Sequence, residues 1–319
     1  MAKKLENLKW KPMWVSHLGC IKGCLDYLNL DISEAWLFGA TGHAFIINVH
    51  EVVCASGPTA WRTEMLFELA KNIGYTVDGI FAFKSEKDFA EKQKKAWERI
   101  KQAIDEGIPC YGWELDIPEF YVINGYDDAG YYFSGPLCDD GKGPKQWKQV
   151  GDTEIGVLEM YSIEQGQPAD DVKAVKQAFE FALEYSKSPE KWIYPKYGAG
   201  LDGYDNWIKA LEQGKADSLG MAYNSAVWSE CRSYAVGFLK EAKSRMDERL
   251  SHLFDEASKH YEVVAQNLKA IVDVFPFRDR KPEHIKDEVR VGAGIEHLKV
   301  ARSAEAKGLT LLEKIIKEL

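Results

Sequence analysis

The sequence predicts an α+β protein in two parts: a helix-led antiparallel sheet over residues 1–165, and an all-α region over 166–319. Three observations predict it. Before residue 165, aromatic, β-branched and Gly-rich segments alternate with helical ones. After it, almost every window has helical periodicity. Between them, Ser162-Ile-Glu-Gln-Gly-Gln-Pro168 carries the Gly and Pro of a linker. The 319 residues suit two domains of ordinary size.

The elements follow in order. Cys20–Leu28 places Ile21, Cys24, Leu25 and Leu28 at i, i+3, i+4 and i+7, an amphipathic helix. Ser33 is an N-cap residue type for a short second helical turn over residues 33–37. The β-branched run Phe45–Val53 predicts a strand. Thr63–Ile73 predicts a helix that Gly74 closes. A strand over Tyr75–Phe83 follows, then a charged helix over Ser85–Glu106 that Gly107 ends. Pro109–Leu115, Glu119–Gly125, Gly130–Ser134 and Glu154–Ser162 are short, ring-rich strand segments. Asp127-Asp128-Ala129-Gly130 supplies a turn, and two adjacent carboxylates without wider ligand spacing do not make a calcium loop. CDDGKGPK (138–145) lacks the residue order of a phosphate loop and reads as an exposed loop. Five helices are expected beyond: Asp170–Ser186, Gly203–Gln213, Leu219–Met246, Arg249–Val274 and Pro282–Leu319, the last broken near Gly292 and Gly294.

Composition narrows function. With 41 basic and 50 acidic residues the net charge is −9, against a nucleic-acid binder and against a polybasic membrane-surface protein. No apolar run reaches transmembrane length, and the first residues carry no secretory h-region. Six cysteines scattered over a long chain read as reduced thiols, which places the expected location in the cytoplasm.

Cys20 is the candidate nucleophile. At a helix start, the backbone N–H groups and the positive end of the dipole lower a thiol pKa, and Gly19 permits close backbone approach. Cysteine is also among the most buried residue types, so Cys20 as a plain core residue stays open. His17 and His43 can serve as its imidazole partner, and His50 lies near. His17, Cys20, Cys24 and His43 also make two N and two S donors, but without the second tight pair of a structural zinc site, so no metal is expected. No cofactor motif is present. Tyr223, Asn224, Trp228, Glu230 and Arg232 crowd one helix, with Trp228 and Arg232 four apart on one face. They read either as a face packed on the first part or as a substrate-binding lid over Cys20.

The run SHLGCIKGCLDYLNLDISEAWLFGATGHAFIIN (16–48) resembles the N-terminal domain of butirosin biosynthesis protein H and its relatives, through Cys20, Ser33-Glu34 and Phe38, Gly39, Gly42 and Phe45. GIPCYGWEL and EFYVINGYDDAGYYFSGP (107–136) are similar to the strand pair of papain-like cysteine peptidases and acyltransferases. The resemblance spans most of residues 14–165 and implies a papain-like core with thiol chemistry on a peptide, small-molecule or acyl-thioester substrate. It also implies a histidine opening the strand, where this sequence has Glu119, and an orienting Asp or Asn, where it has Ser134-Gly135. A carboxylate beside a thiol disfavours the thiolate, yet a glutamate in an apolar pocket can act as a base. Trp113, Phe120 and Tyr121 can line such a pocket, and Trp113 and Tyr121 are expected to touch substrate. Glu119 as a plain strand-edge carboxylate after Pro118 also stays open. Two functions follow: a papain-like thiol hydrolase or acyltransferase relative with an altered catalytic set, or a non-catalytic small-molecule or peptide binder that keeps the cleft. A homodimer through the helical half is a third reading.

Overall fold

The computed structural model describes residues 2–319. In chain order the elements are β1 (Lys3–Lys4), α1 (Ser16–Tyr27), α2 (Glu34–Ala40), β2 (Asn48–His50), α3 (Glu64–Ile73), β3 (Tyr75–Phe83), α4 (Phe89–Asp105), β4 (Cys110–Trp113), β5 (Phe120–Tyr126), β6 (Tyr131–Gly135), β7 (Cys138–Lys145) and β8 (Val157–Gln165). Then come α5 (Asp171–Lys187), β9 (Tyr197–Ala199), α6 (Leu201–Glu212), α7 (Ser218–Arg245), α8 (Ser251–Val274) and α9 (Glu288–Glu318). The class is the one the sequence predicts: a mostly antiparallel sheet in the N-terminal half and a helical C-terminal region.

The chain forms two compact units, Met1–Ser33 with Gly74–Pro168, and Glu34–Ile73 with Ala169–Leu319. The segment Glu34–Ile73, which the sequence reading groups with the sheet, packs with the later helices. Gly39 of α2 shows why. A Cβ there would lie 1.8 Å from Cγ of Phe238 on α7, so the ring sits directly on the glycine.

In the first unit the strands run in the order β3-β8-β4-β5-β6-β7, with β1 added on β5, and every pairing is antiparallel. His17 of α1 meets Tyr111, Phe120 and Tyr161, whereas α4 lies by Ile80, Met160 and Ser162. Side chains alternate along β8, so Tyr161 faces away from Met160 and Ser162, and the two helices cover opposite faces. Helix α1 is also held along its length. Gly19 and Gly23, one turn apart, leave room for the chain at Lys9–Lys11: added Cβ atoms would stand 2.4 Å from the Lys11 carbonyl and 2.0 Å from that of Lys9. The Lys11 N–H donates to the Gly19 carbonyl at 3.0 Å. The close approach that Gly19 permits is therefore of the protein's own N-terminal segment.

In the second unit α7 packs against α2 and α8, α8 against α9, and α9 against α5 and α6. Aspartates cap three of the helices. Asp170 accepts from the Lys173 N–H at 2.8 Å, Asp217 from the Gly220 N–H at 2.6 Å, and Asp287 from the Val289 and Arg290 N–H groups at 3.0 and 3.1 Å. A small antiparallel pair of β2 and β9 completes the unit.

Several local expectations change. Helix α1 starts at Ser16, one turn earlier than the apolar spacing from Cys20 suggests. The strand expected over Phe45–Val53 shrinks to Asn48–His50, behind a 3-10 turn at His43–Phe45. Residues 138–145 form the exposed edge strand β7, not a loop. Residues 162–165 of the expected linker finish β8, and the break between units falls after Pro168. Helix α9 runs unbroken through Gly292 and Gly294.

Candidate functional site

The expected site residues divide between the units: His17, Cys20, Trp113, Glu119 and Tyr121 lie in the first, and His43, Trp228 and Arg232 in the second.

Cys20 is the fifth residue of α1 and fully buried. The positive end of the helix belongs to its first turn, at residues 16–18, so Cys20 lacks the expected N-terminal position. Burial pushes its thiol well above the ordinary value, and the neighbouring Cys24 and the Glu119 charge push the same way. This is the reverse of an activated thiolate. Cys24 and Cys110 are buried with it, and burial raises their thiols too.

The residue at the start of α1 is Ser16. Its hydroxyl donates to Oε2 of Glu119, 103 residues away, and accepts the Phe120 N–H at 3.0 Å. Glu119 thus sits where the strand opens and reaches the first turn of α1, through an oxygen rather than through Cys20. Ser16 is 3% exposed, and Glu119 is half-buried. Sequence reading passed over Ser16, although it begins the very run that carries the family resemblance; the mark it leaves is a small hydroxyl residue at a helix start.

His17 points into the aromatic layer. Its Nε2 lies 3.1 Å from the Tyr111 hydroxyl, and its ring stacks on Phe120 with centroids 4.0 Å apart. Trp113 packs edge-on against Phe120 at 5.0 Å. Tyr121 is buried; its hydroxyl accepts the Ile117 N–H at 3.2 Å and donates to the Pro136 carbonyl at 3.4 Å. It ties the loop before β5 to the turn after β6. The Asp127 turn is as expected: one carboxylate oxygen accepts the Ala129 and Gly130 N–H groups at 2.8 and 3.2 Å.

In the second unit His43 has a different thiol partner from the one expected, Cys231, with Nδ1 and Sγ 3.6 Å apart. Burial, with the Arg232 charge adding to it, lowers the His43 pKa from 6.5 to about 3. Arg232 and Trp228 are not lid residues; both are wholly buried inside the second unit. The Trp228 indole donates to Oδ1 of Asn224 at 3.1 Å. Arg232 pairs with buried Glu305 at 2.8 Å, and it donates to the carbonyls of Ala44 and Ile46 at 2.8 Å and of Phe45 at 3.2 Å. Tyr204 donates to the same Glu305 carboxylate at 3.1 Å. The guanidinium is thus the buried clasp of the turn that carries His43. Glu305 and Cys231 carried no signal in the sequence, because nothing in the spacing along α9 and α7 sets them apart from the other polar residues there.

The His43 environment predicts a pH dependence. Its folded pKa lies below the unfolded value, so as pH falls the unfolded chain takes up the proton first. Its contribution is complete above pH 6.5 and is lost progressively toward pH 3. At about 1.4 kcal/mol per tenfold difference in proton affinity, the loss reaches several kcal/mol. Urea unfolding at pH 7 and pH 5 checks it: the wild-type midpoint falls, and that of His43→Gln falls less. Equal falls in the two proteins count against it.

Among the described residues no group of three or more His, Cys, Asp and Glu is placed to hold a metal, and no helix is long and apolar enough to cross a membrane. The zinc set drawn from His17, Cys20, Cys24 and His43 is split between the units. No family model matches the chain, and no curated protein matches it either.

Proposed function

We propose that the first unit is a relative of the papain-like cysteine peptidases and acyltransferases with an altered catalytic set. Its substrate is an acyl or amide compound, whether small molecule, peptide or acyl-thioester, met where α1 abuts β5. One observation carries the reading: the Ser16–Glu119 hydrogen bond joins the helix start to the strand opening. The resemblance puts a nucleophile at Cys20 and its base at the position of Glu119, and this bond ties that base position to the start of the helix that carries Cys20. Cys20, one turn further in and buried, stands outside this pair. The six free cysteines favour a reducing compartment, the cytoplasm. A second reading, a binding protein without turnover, draws support from the 3% exposure of Ser16.

Alkylation of the native protein tests the place of Cys20. With iodoacetamide at pH 7 and peptide mapping, Cys54 and Cys138, which are partly exposed, react first. Cys20, Cys24, Cys110 and Cys231 react only once the chain is unfolded. Native labelling of Cys20 faster than free cysteine overturns the altered catalytic set and returns Cys20 as the nucleophile.

A further inference from the structure

We propose that β3 is a pairing edge: two copies of the chain join through their β3 strands, antiparallel about a two-fold axis at Ile80, into one continuous sheet. The proposal concerns the sheet of the first unit and is independent of its chemistry.

The sheet has two ends, and they differ. β3 stands last in the strand order on one side and β7 on the other. β7 carries Asp139, Asp140, Lys142 and Pro144, and its register on β6 shifts twice. Charges, proline and an irregular register are the ordinary guards of an unpaired edge. β3 lacks them. Its nine residues pair with β8 without a shift, from Tyr75 opposite Gln165 to Phe83 opposite Val157. It holds no Pro and no Lys, and Asp78 is its one charge. A long, regular edge of this kind is a template for another strand.

The backbone presents the groups that such a strand needs. The Lys84 N–H donates to the Gly156 carbonyl, on the β8 side, at 2.8 Å. The Phe83 N–H turns the other way, to Oε1 of Glu86 at 2.8 Å. Hydrogen-bonding groups alternate in side along a strand, so those of Val77, Gly79 and Phe81 also point away from β8. Arg99 approaches the Gly79 carbonyl only at 3.5 Å, beyond a good hydrogen-bond length.

The side chains select a second copy as the occupant. Val77, Gly79, Phe81 and Phe83 share one face of the strand. Phe81 and Phe83 are 45% and 40% exposed, with their rings edge to face at 5.0 Å. With Ile80 opposite Ile80, Phe81 of each copy lies across from Gly79 of the other, and Phe83 across from Val77. Each Phe81 ring then covers a glycine, a favourable cross-strand match. Gly79 and Phe81 exchange both backbone hydrogen bonds on each side of the axis. On the opposite face Asp78 lies diagonal to the second copy's Lys84, so opposite charges meet, twice by symmetry. A register shifted by two residues loses this match. It either sets Gly79 against Gly79 or requires the Phe83 N–H that Glu86 already holds.

Sedimentation velocity of the full-length protein over a concentration series tests the proposal. The 36.1 kDa chain is expected to convert to a species of twice that mass as concentration rises. Phe81→Lys alters an exposed ring, so the chain stays folded, and association is expected to weaken at least about 10-fold. Charge exchange tests the register. Asp78 and Lys84 pair within the chain only with Arg99 and Asp152, on the surface, and those pairs cost little to lose. Asp78→Lys alone and Lys84→Asp alone are each expected to weaken the dimer about 3–10-fold, and the double variant to recover it. Circular dichroism and melting temperature confirm that each variant is folded. A wild-type chain that stays monomeric throughout overturns the proposal. So does a dimer indifferent to Phe81→Lys, or a folded double variant that associates no better than the single ones.

Discussion

Replacing Arg232 with Met is expected to destabilise the second unit by about 3–5 kcal/mol, because it leaves a buried carboxylate without its cation. Glu305 is 1% exposed and Arg232 wholly buried, so water cannot replace either partner. The carbonyls of Ala44, Phe45 and Ile46 lose their donor in the same step. The double variant Arg232→Met with Glu305→Leu removes the stranded charge and is expected to recover part of the loss, as buried ion pairs exchanged whole for apolar residues often do. Urea unfolding of the wild type, the two single variants and the double variant closes a cycle whose coupling term measures the pair. A single variant within 1 kcal/mol of wild type, or a double variant no better than the worse single, counts against this account.

Gly23→Ala is the second large effect, and it acts on the first unit. The new methyl would stand 2.0 Å from the Lys9 carbonyl oxygen, a backbone atom that cannot rotate away. Either α1 shifts on the sheet or the segment at Lys9–Lys11 lifts off, at a cost of about 1–3 kcal/mol for overpacking. Gly19→Ala meets the Lys11 carbonyl at 2.4 Å and is expected to cost a similar amount. Gly292→Ala is the internal contrast: it lies in α9 with nothing within 4 Å of the added methyl, and is expected to stabilise by about 0.5–1 kcal/mol. Thermal unfolding separates the three. Gly23→Ala melting at or above the wild-type temperature removes the packing argument.

The fold class was legible because period-2 and period-3.6 patterns change over along the chain, and the sheet strands from Tyr75 onward fall close to the expected segments. The unit division was not. Glu34–Ile73 reads like its sequence neighbours, and only the packing of Gly39 under Phe238 reveals which core it joins. Strand β7 was hidden because CDDGKGPK has loop composition; an edge strand exposed on both faces needs no apolar alternation. The site was half legible. Glu119 stood out as a carboxylate at a strand opening, and its neighbours Trp113 and Phe120 do pack together. Helix α1 begins one turn before Cys20, since apolar spacing marks the buried face of a helix and not its first residue, and Cys20 is buried for the ordinary reason that small thiols fill cores. Arg232 was read as part of a face packed on the first part or of a lid, because its actual partner, Glu305, lies 73 positions away.

The interrupted course of the chain bears on how the protein is made. The polypeptide leaves the first unit after Ser33, returns at Gly74 and leaves again after Pro168. On the ribosome, the sheet unit has all its strands once Pro168 has emerged. At that moment the excursion at Glu34–Ile73, with Trp36, Leu37, Phe38, Phe45, Ile46 and Ile47 destined for burial, still awaits helices that have not been synthesised. Those side chains lack their partners until α7, with Phe238, has been translated. The nascent chain therefore passes through a stage at which one core can close and the other is an apolar loop, a natural point of call for a holding chaperone.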